Sequence, residues 1–124
     1  MMDQALRARL ARIRTFLLDM DGTFYLGNRL LEGSLDFLET LRRTGRQALF
    51  LTNNSSRAAA DYVAKLARMG VPEDFRRVFT SGQATGHHCL KHFAGKSAFL
   101  LGTPALRSEL SGMGLSLTDQ DPDY

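Results

Sequence analysis

Two aspartates stand one residue apart in FLLDMDGTFYLGN, Phe16 to Asn28, directly after a run of apolar residues. Like charges held that close are costly unless a cation or a proton lies between them. Burying them without such a partner costs more. The pair therefore reads as a metal site, a catalytic pair, or a turn in which Asp and Gly serve local backbone needs. A carboxylate placed like Asp19 can attack a phosphoryl group and form an aspartyl phosphate. Both partners are anionic, so the attack calls for a divalent cation between them. Asp21, two residues on, can protonate the leaving oxygen and later take a proton from water. Gly22 lets the backbone approach a phosphate closely, and Thr23 adds a hydroxyl. Farther along, TNNSS begins at Thr52, whose hydroxyl can donate to a phosphate oxygen. The amides of Asn53 and Asn54, with a helix N-terminus just beyond, supply more donors.

These groups need a scaffold that gathers them. TFLLD, from Thr15, reads as a buried strand, and SLDFLETLRRTG as a helix capped by Ser34 and ended by Gly45. QALFLT is a second buried strand. A helix opened by Ser55 or Ser56 then runs through Met69, with Tyr62, Leu66 and Met69 on one face. RVFT is a third strand, and Ser81 caps a helix reaching about Phe93. SAFLL is a fourth strand, and Thr103 caps a helix with Pro104 at its first position. Apolar strands alternating with helices predict an α/β fold, a Rossmann-like parallel sheet with helices on both faces. In such sheets ligands collect beyond the carboxyl ends of the strands, which is where Asp19, Asp21, Thr52, Asn53 and Asn54 fall.

Composition narrows the function classes. The 124 residues, 44% hydrophobic and 23% charged, suit one modest globular domain. A net charge of +3 comes mostly from arginines spread among acids, so no basic block points to nucleic acid. No apolar run is long enough to cross a bilayer. A single Cys89 excludes an internal disulfide and suits a reducing, cytoplasmic setting. The N-terminal MMDQALRARLARIR lacks the apolar core of a secretory signal and reads as a basic surface helix over residues 1–14. AGKS at Ala94–Ser97 mimics the end of a phosphate-binding loop, but Leu90 stands where its first glycine is required. An EF-hand alignment fails on Leu17 and Asn28, where acids are required. His88 and His92 flank Cys89 at helical spacing, without a further ligand to complete a zinc site. The tail TDQDPDY reads by itself as a solvated acidic loop.

DMDGT after one apolar strand and FLTNNSS after the next resemble the haloacid dehalogenase superfamily. The wording is closest to its phosphatases with a large α/β cap inserted after the second motif, among them p-nitrophenyl-phosphatase-like, nucleotide and sugar-phosphate phosphatases. YLGNRLLEGSLDFLETLRRTG, YVAKLARMGV, VFTSGQAT and LLGTPALRSEL share that family's cadence. The resemblance implies Asp19 as nucleophile and Asp21 as general acid and base. It implies Mg2+ held by the Asp19 carboxylate and the Asp21 backbone carbonyl, and Thr52 on the phosphoryl group with Asn53 positioning substrate. Gly22, Thr23 and Asn54 would support them. An aspartate at position 21 favours phosphoryl transfer over dehalogenation.

The family's later lysine and Gly-Asp motifs find no match here. Lys65 lies inside a helix, Lys91 and Lys96 come too early, and TDQDPDY lacks a strand before its acids. The chain is expected to hold the N-terminal part of the core, residues 15–96, and the beginning of a cap, residues 97–124. The implied function is a magnesium-dependent phosphomonoester hydrolase acting on a small phosphorylated metabolite, with no nucleic acid or membrane partner. The alternative is a truncated member that binds a phosphate ligand or a protein partner without turnover. A homodimer suits either reading.

Overall fold

A computed structural model of the chain describes residues 3–124. Helix α1, Gln4–Ala11, starts where Asp3 accepts a hydrogen bond from the Ala5 amide at 3.2 Å. It is shorter than the expected 1–14, of which Met1 and Met2 lie outside the described residues. Leu6 and Leu10 remain exposed on it, so this helix adds nothing to the core.

Three strands form the central sheet. They are β1 (Thr15–Leu18), β4 (Gln47–Thr52) and β5 (Val78–Thr80), all parallel and in the order β1-β4-β5. The register pairs Leu18 with Phe50 and Phe50 with Val78, and Thr52 with Thr80. Because side chains alternate across a strand, Phe16, Leu18, Ala48, Phe50 and Val78 share one face. Onto that face pack α2 (Ser34–Arg43) through Leu38 and Leu41, and α3 (Ala59–Arg68) through Tyr62 and Leu66. The strands read as continuous apolar runs, the signature of parallel sheets covered by helices.

On the opposite face Leu49 and Leu51 are half-buried and Leu17 is 63% exposed. Helix α4, Ser81–His92, reaches this side through His87, which stacks on Phe79. Gly82 and Gly86 let α4 lie tight against α5, Pro104–Gly112. A Cβ at Gly86 would stand 2.6 Å from Met113 Cε, and one at Gly82 would stand 2.7 Å from Leu106 Cδ1.

Several boundaries differ from the sequence reading. Ser34 is the first helical residue of α2 and not its cap; Gly33 holds the cap position with φ of 81°. The Ser34 hydroxyl donates instead to the Phe24 carbonyl at 2.7 Å, tying α2 to the loop after β1. Ser81 is likewise inside its helix, and the cap is Thr80, which exchanges hydrogen bonds with Gln83 in a capping box. A hairpin of β2 (Tyr25–Leu26) and β3 (Arg29–Leu30) was not expected, although Gly27-Asn28 between two short apolar runs is a hairpin signal.

The expected fourth strand SAFLL shrinks to β6, Ser97–Ala98, and does not join the central sheet. It pairs in parallel with β7, Ser116–Leu117, across α5. Beyond Ala98 the Phe99 amide donates to the Tyr124 carbonyl, which takes that backbone out of the ladder. The acidic tail is not simply solvated. Asp123 accepts from both the amide and the hydroxyl of Ser97, and these bonds hold its carboxyl below the usual range. Asp119 pairs with Arg107 at 2.8 Å. No helix among the described residues is long and apolar enough to cross a membrane.

Candidate active site

Strand β1 delivers the first wall of the site. Met20, 1% exposed, turns inward while its neighbours Asp19 and Asp21 stay in solvent. The Met20 carbonyl accepts from the amides of Thr23, Phe24 and Tyr25 at 3.2, 2.9 and 3.1 Å. Gly22 closes the loop by donating to the Tyr25 carbonyl at 2.7 Å, and its φ of 79° lies in the left-handed region that glycine enters freely. The Thr23 hydroxyl donates to Asp19 Oδ2 at 3.3 Å. A buried methionine thus anchors a turn that projects two carboxylates the same way.

Strand β4 delivers the second wall. Thr52 Oγ1 accepts from the Asn54 amide at 3.1 Å, and Asn54 Oδ1 accepts from the Ser56 amide at 2.9 Å. These side-chain bonds shape a turn, and so neither Ser55 nor Ser56 caps a helix; α3 opens after Ala58. The Ala58 amide donates to Asp61 Oδ2 at 3.0 Å. Three distant residues hold this loop from outside. Ser81 Oγ donates to the Asn53 carbonyl at 3.2 Å, Thr103 Oγ1 to the Ser56 carbonyl at 3.0 Å, and Glu109 Oε1 accepts from the Ala59 amide at 2.7 Å.

The two walls enclose a cavity of about 460 Å³ that collects Asp19, Asp21, Thr52, Asn53 and Asn54. Gly22 and Thr23 lie outside its lining, and act on it by shaping the turn and holding Asp19. Four further residues line it that the sequence reading did not assign: Tyr25, Arg57, Tyr62 and Lys65. Lys65 lies within α3 and not at a strand end, where the sequence reading looks for ligand-binding groups. Its position one turn after Tyr62 places both on one helical face, which was the available signal. Lys65 Nζ sits 3.9 Å from the centre of the Tyr25 ring. Burial, and then the neighbouring Tyr62 and Asp21, push the Tyr25 hydroxyl above its ordinary value against the opposing pull of Arg57. At neutral pH it is therefore a protonated donor.

Asp19 and Asp21 are exposed, and their carboxylates and the Asp21 carbonyl are hard oxygen donors, which suits a divalent cation that keeps several waters, as Mg2+ does. No cluster of three or more acid, histidine or cysteine side chains fit for a metal occurs among the described residues. The rings of His88 and His92 lie 4.4 Å apart on α4, with no third ligand for zinc among the described residues.

Residues 16–116 match the family model for haloacid dehalogenase-like hydrolases. The chain belongs to that family. Among solved structures, this haloacid dehalogenase-like chain is similar to a 4-nitrophenylphosphatase from Thermotoga maritima, with 50% identity and a TM-score of 0.85 over 92% of this chain and 44% of that one. It is similar to a glycerol phosphate phosphatase from Mycobacterium tuberculosis, solved in complex with magnesium, at 31% identity and a TM-score of 0.76 over 89% of this chain and 34% of that one. A 5'-nucleotidase of Bacillus subtilis is 32% identical over 109 residues, 88% of this chain and 43% of the relative. The chain thus spans less than half the length of these relatives.

Proposed function

We propose that the chain supplies the nucleophile, the general acid and the phosphate-binding loop of a magnesium-dependent phosphomonoesterase. The observation that carries this reading is the meeting of Asp19 and Asp21 with Thr52, Asn53 and Asn54 in one cavity at the carboxyl end of a parallel sheet. Relatives named for nitrophenyl phosphate, glycerol phosphate and nucleotides share a phosphate ester, and so a small phosphorylated metabolite is the substrate class. In this reading residues 15–96 belong to the catalytic core. Residues 97–124 begin a cap, a division supported by the separate β6-β7 sheet.

The chemistry runs through this chain's own groups. An Asp19 carboxylate oxygen bonds to phosphorus as the ester P–O bond breaks, and Asp21 gives its proton to the departing alkoxide. Water then attacks the same phosphorus, Asp21 takes the water's proton, and the bond to Asp19 breaks to release phosphate. Thr52 and Asn53 hold phosphate oxygens throughout, and Thr23 orients Asp19 through its hydrogen bond. Magnesium, held by the Asp19 carboxylate and the Asp21 carbonyl, would relieve the repulsion between two anions.

Exchange of Asp19 for asparagine in the intact protein tests this. Hydrolysis of p-nitrophenyl phosphate should fall by about a thousand-fold or more while circular dichroism stays unchanged. Hydrolysis retained near the wild-type rate would remove Asp19 as the nucleophile.

A further inference from the structure

Helix α3 opens without a cap of its own. Ala58 stands at the cap position, where serine, threonine, asparagine or aspartate would accept an amide hydrogen bond, and it has no side-chain acceptor. The acceptor comes from fifty residues on, where Glu109 Oε1 takes the Ala59 amide at 2.7 Å. The other oxygen of the same carboxylate, Oε2, accepts from the Thr80 hydroxyl at 3.3 Å. Thr80 is the cap of α4 and the register partner of Thr52 in the sheet. Room for the carboxylate exists because position 82 is glycine; a Cβ there would stand 3.1 Å from Oε2.

One half-buried carboxylate thus holds the first turns of two helices. One of these helix ends follows the loop that carries Asn53 and Asn54, and the other pairs with Thr52 in the ladder. A carboxylate at a helix N-terminus meets a free amide and the positive end of the dipole, and its charge strengthens the bonds it accepts. Glu109 itself lies outside the lining of the cavity. We propose that Glu109 is a positioning residue for the second wall: by capping α3 and holding Thr80 it fixes where Thr52 and Asn53 meet a phosphate. This rests on the phosphomonoesterase reading and adds to it a residue that touches no ligand. Donors displaced by about 1 Å can cost up to a hundred-fold in rate, so the loss of Glu109 reaches the chemistry from outside the cavity.

Three variants of the intact protein test this, with circular dichroism confirming that each is folded. Glu109→Ala should lower kcat for p-nitrophenyl phosphate by about ten-fold or more. It should also weaken binding of tungstate, a tetrahedral dianion standing in for phosphate, titrated calorimetrically at saturating magnesium chloride. Magnesium affinity measured without tungstate should hold, because residues 19–25 keep their shape through their own turn. Glu109→Gln keeps an acceptor for the Ala59 amide and should recover most of both losses. Leu110→Ala, at a buried position of α5 that packs toward Gly86, loosens the helix without removing either bond. It should leave kcat and tungstate affinity near wild type. Wild-type kcat and tungstate affinity in Glu109→Ala overturn the proposal. So does an equal loss in Leu110→Ala, which would make general loosening of α5 the cause. A wild-type protein that binds tungstate without turnover removes the phosphatase reading and leaves the tungstate titration to decide the proposal. One that neither binds nor hydrolyses overturns both.

Discussion

The loop after β1 and the loop after β4 face each other across the same cavity, yet they are secured by different means. Residues 19–25 fold back on their own backbone, with the Met20 carbonyl taking three amides and Gly22 closing on Tyr25. Residues 53–58 have local side-chain turns, but their position depends on Ser81, Thr103 and Glu109 from elements far along the chain. The first wall must hold two carboxylates in fixed relation, a task suited to a short local turn. In the proposed reading the second wall presents donors to a phosphate. Its contacts with α5 couple it to the segment that carries the β6-β7 sheet. In the proposed reading, a nucleophile held locally and a phosphate-binding loop held remotely can be altered independently.

The change expected to break both walls together lies beneath them. Leu66, 0% exposed, sits on α3 within the core cluster that also includes Met20 and Phe24. Leu66→Ala should cost about 2–5 kcal/mol by urea denaturation, through lost apolar contact and the cavity left behind. That is a large share of the roughly 5–15 kcal/mol of an ordinary domain. A cost well under 1 kcal/mol would mean that α3 is not the common floor.

Next come two substitutions that should separate the walls. Glu109→Ala strands the Ala59 amide and the hydroxyl of Thr80, which is 1% exposed, at a cost of about 1–3 kcal/mol. It should weaken tungstate binding and leave magnesium affinity alone, while Glu109→Gln keeps an acceptor for Ala59 and loses less. Gly22→Ala meets no atom within 4 Å but places a Cβ at φ of 79°, costing about 1–2 kcal/mol. Its strain falls between Asp21 and Thr23, so magnesium binding should suffer first. Isothermal titration of both ligands against both variants checks the contrast. Equal losses of both ligands in both variants would show that the two walls move as one.

Legibility in the sequence followed the same division. Strands β1, β4 and β5 and the helices between them could be read because apolar runs and helical periodicity are local signals. Asp19 and Asp21 could be read because a turn of a few residues sets their spacing. At Ser34 and Ser81 the hydroxyl misled because a distant carbonyl competed for it, Phe24 across ten residues and Asn53 across twenty-eight. Lys65 was passed over since nothing near it in the sequence shows that the Tyr25 ring lies under its ammonium. Glu109 gave no sign at all, for its partner amide is fifty residues away. The acidic tail appeared solvated because its bonds to Ser97 depend on a strand pairing that composition does not encode.

The smallest effect belongs at the opposite end of the sheet, where it serves as a control for both walls. Asp74, in the short 3-10 turn Glu73–Phe75, receives hydrogen bonds from Arg42 of α2 at 2.8 to 3.2 Å. The Arg42 guanidinium holds the Asp74 carboxyl below its ordinary range, and Asp74 in turn raises Arg42. A carboxyl with a lowered folded-state pKa adds stability above its unfolded value and loses it as pH falls through the folded one. Wild type should therefore exceed Asp74→Asn in urea midpoint at neutral pH. The difference should shrink below about pH 4 and vanish in stronger acid, where both chains carry a neutral group. Both partners are well exposed, so the gap is small and added salt should narrow it further. Tungstate and magnesium affinities should not change, because Asp74 touches neither wall. A change in either would mean that the amino end of the sheet reaches the site through α2, whose Ser34 is bonded to Phe24 in the first loop.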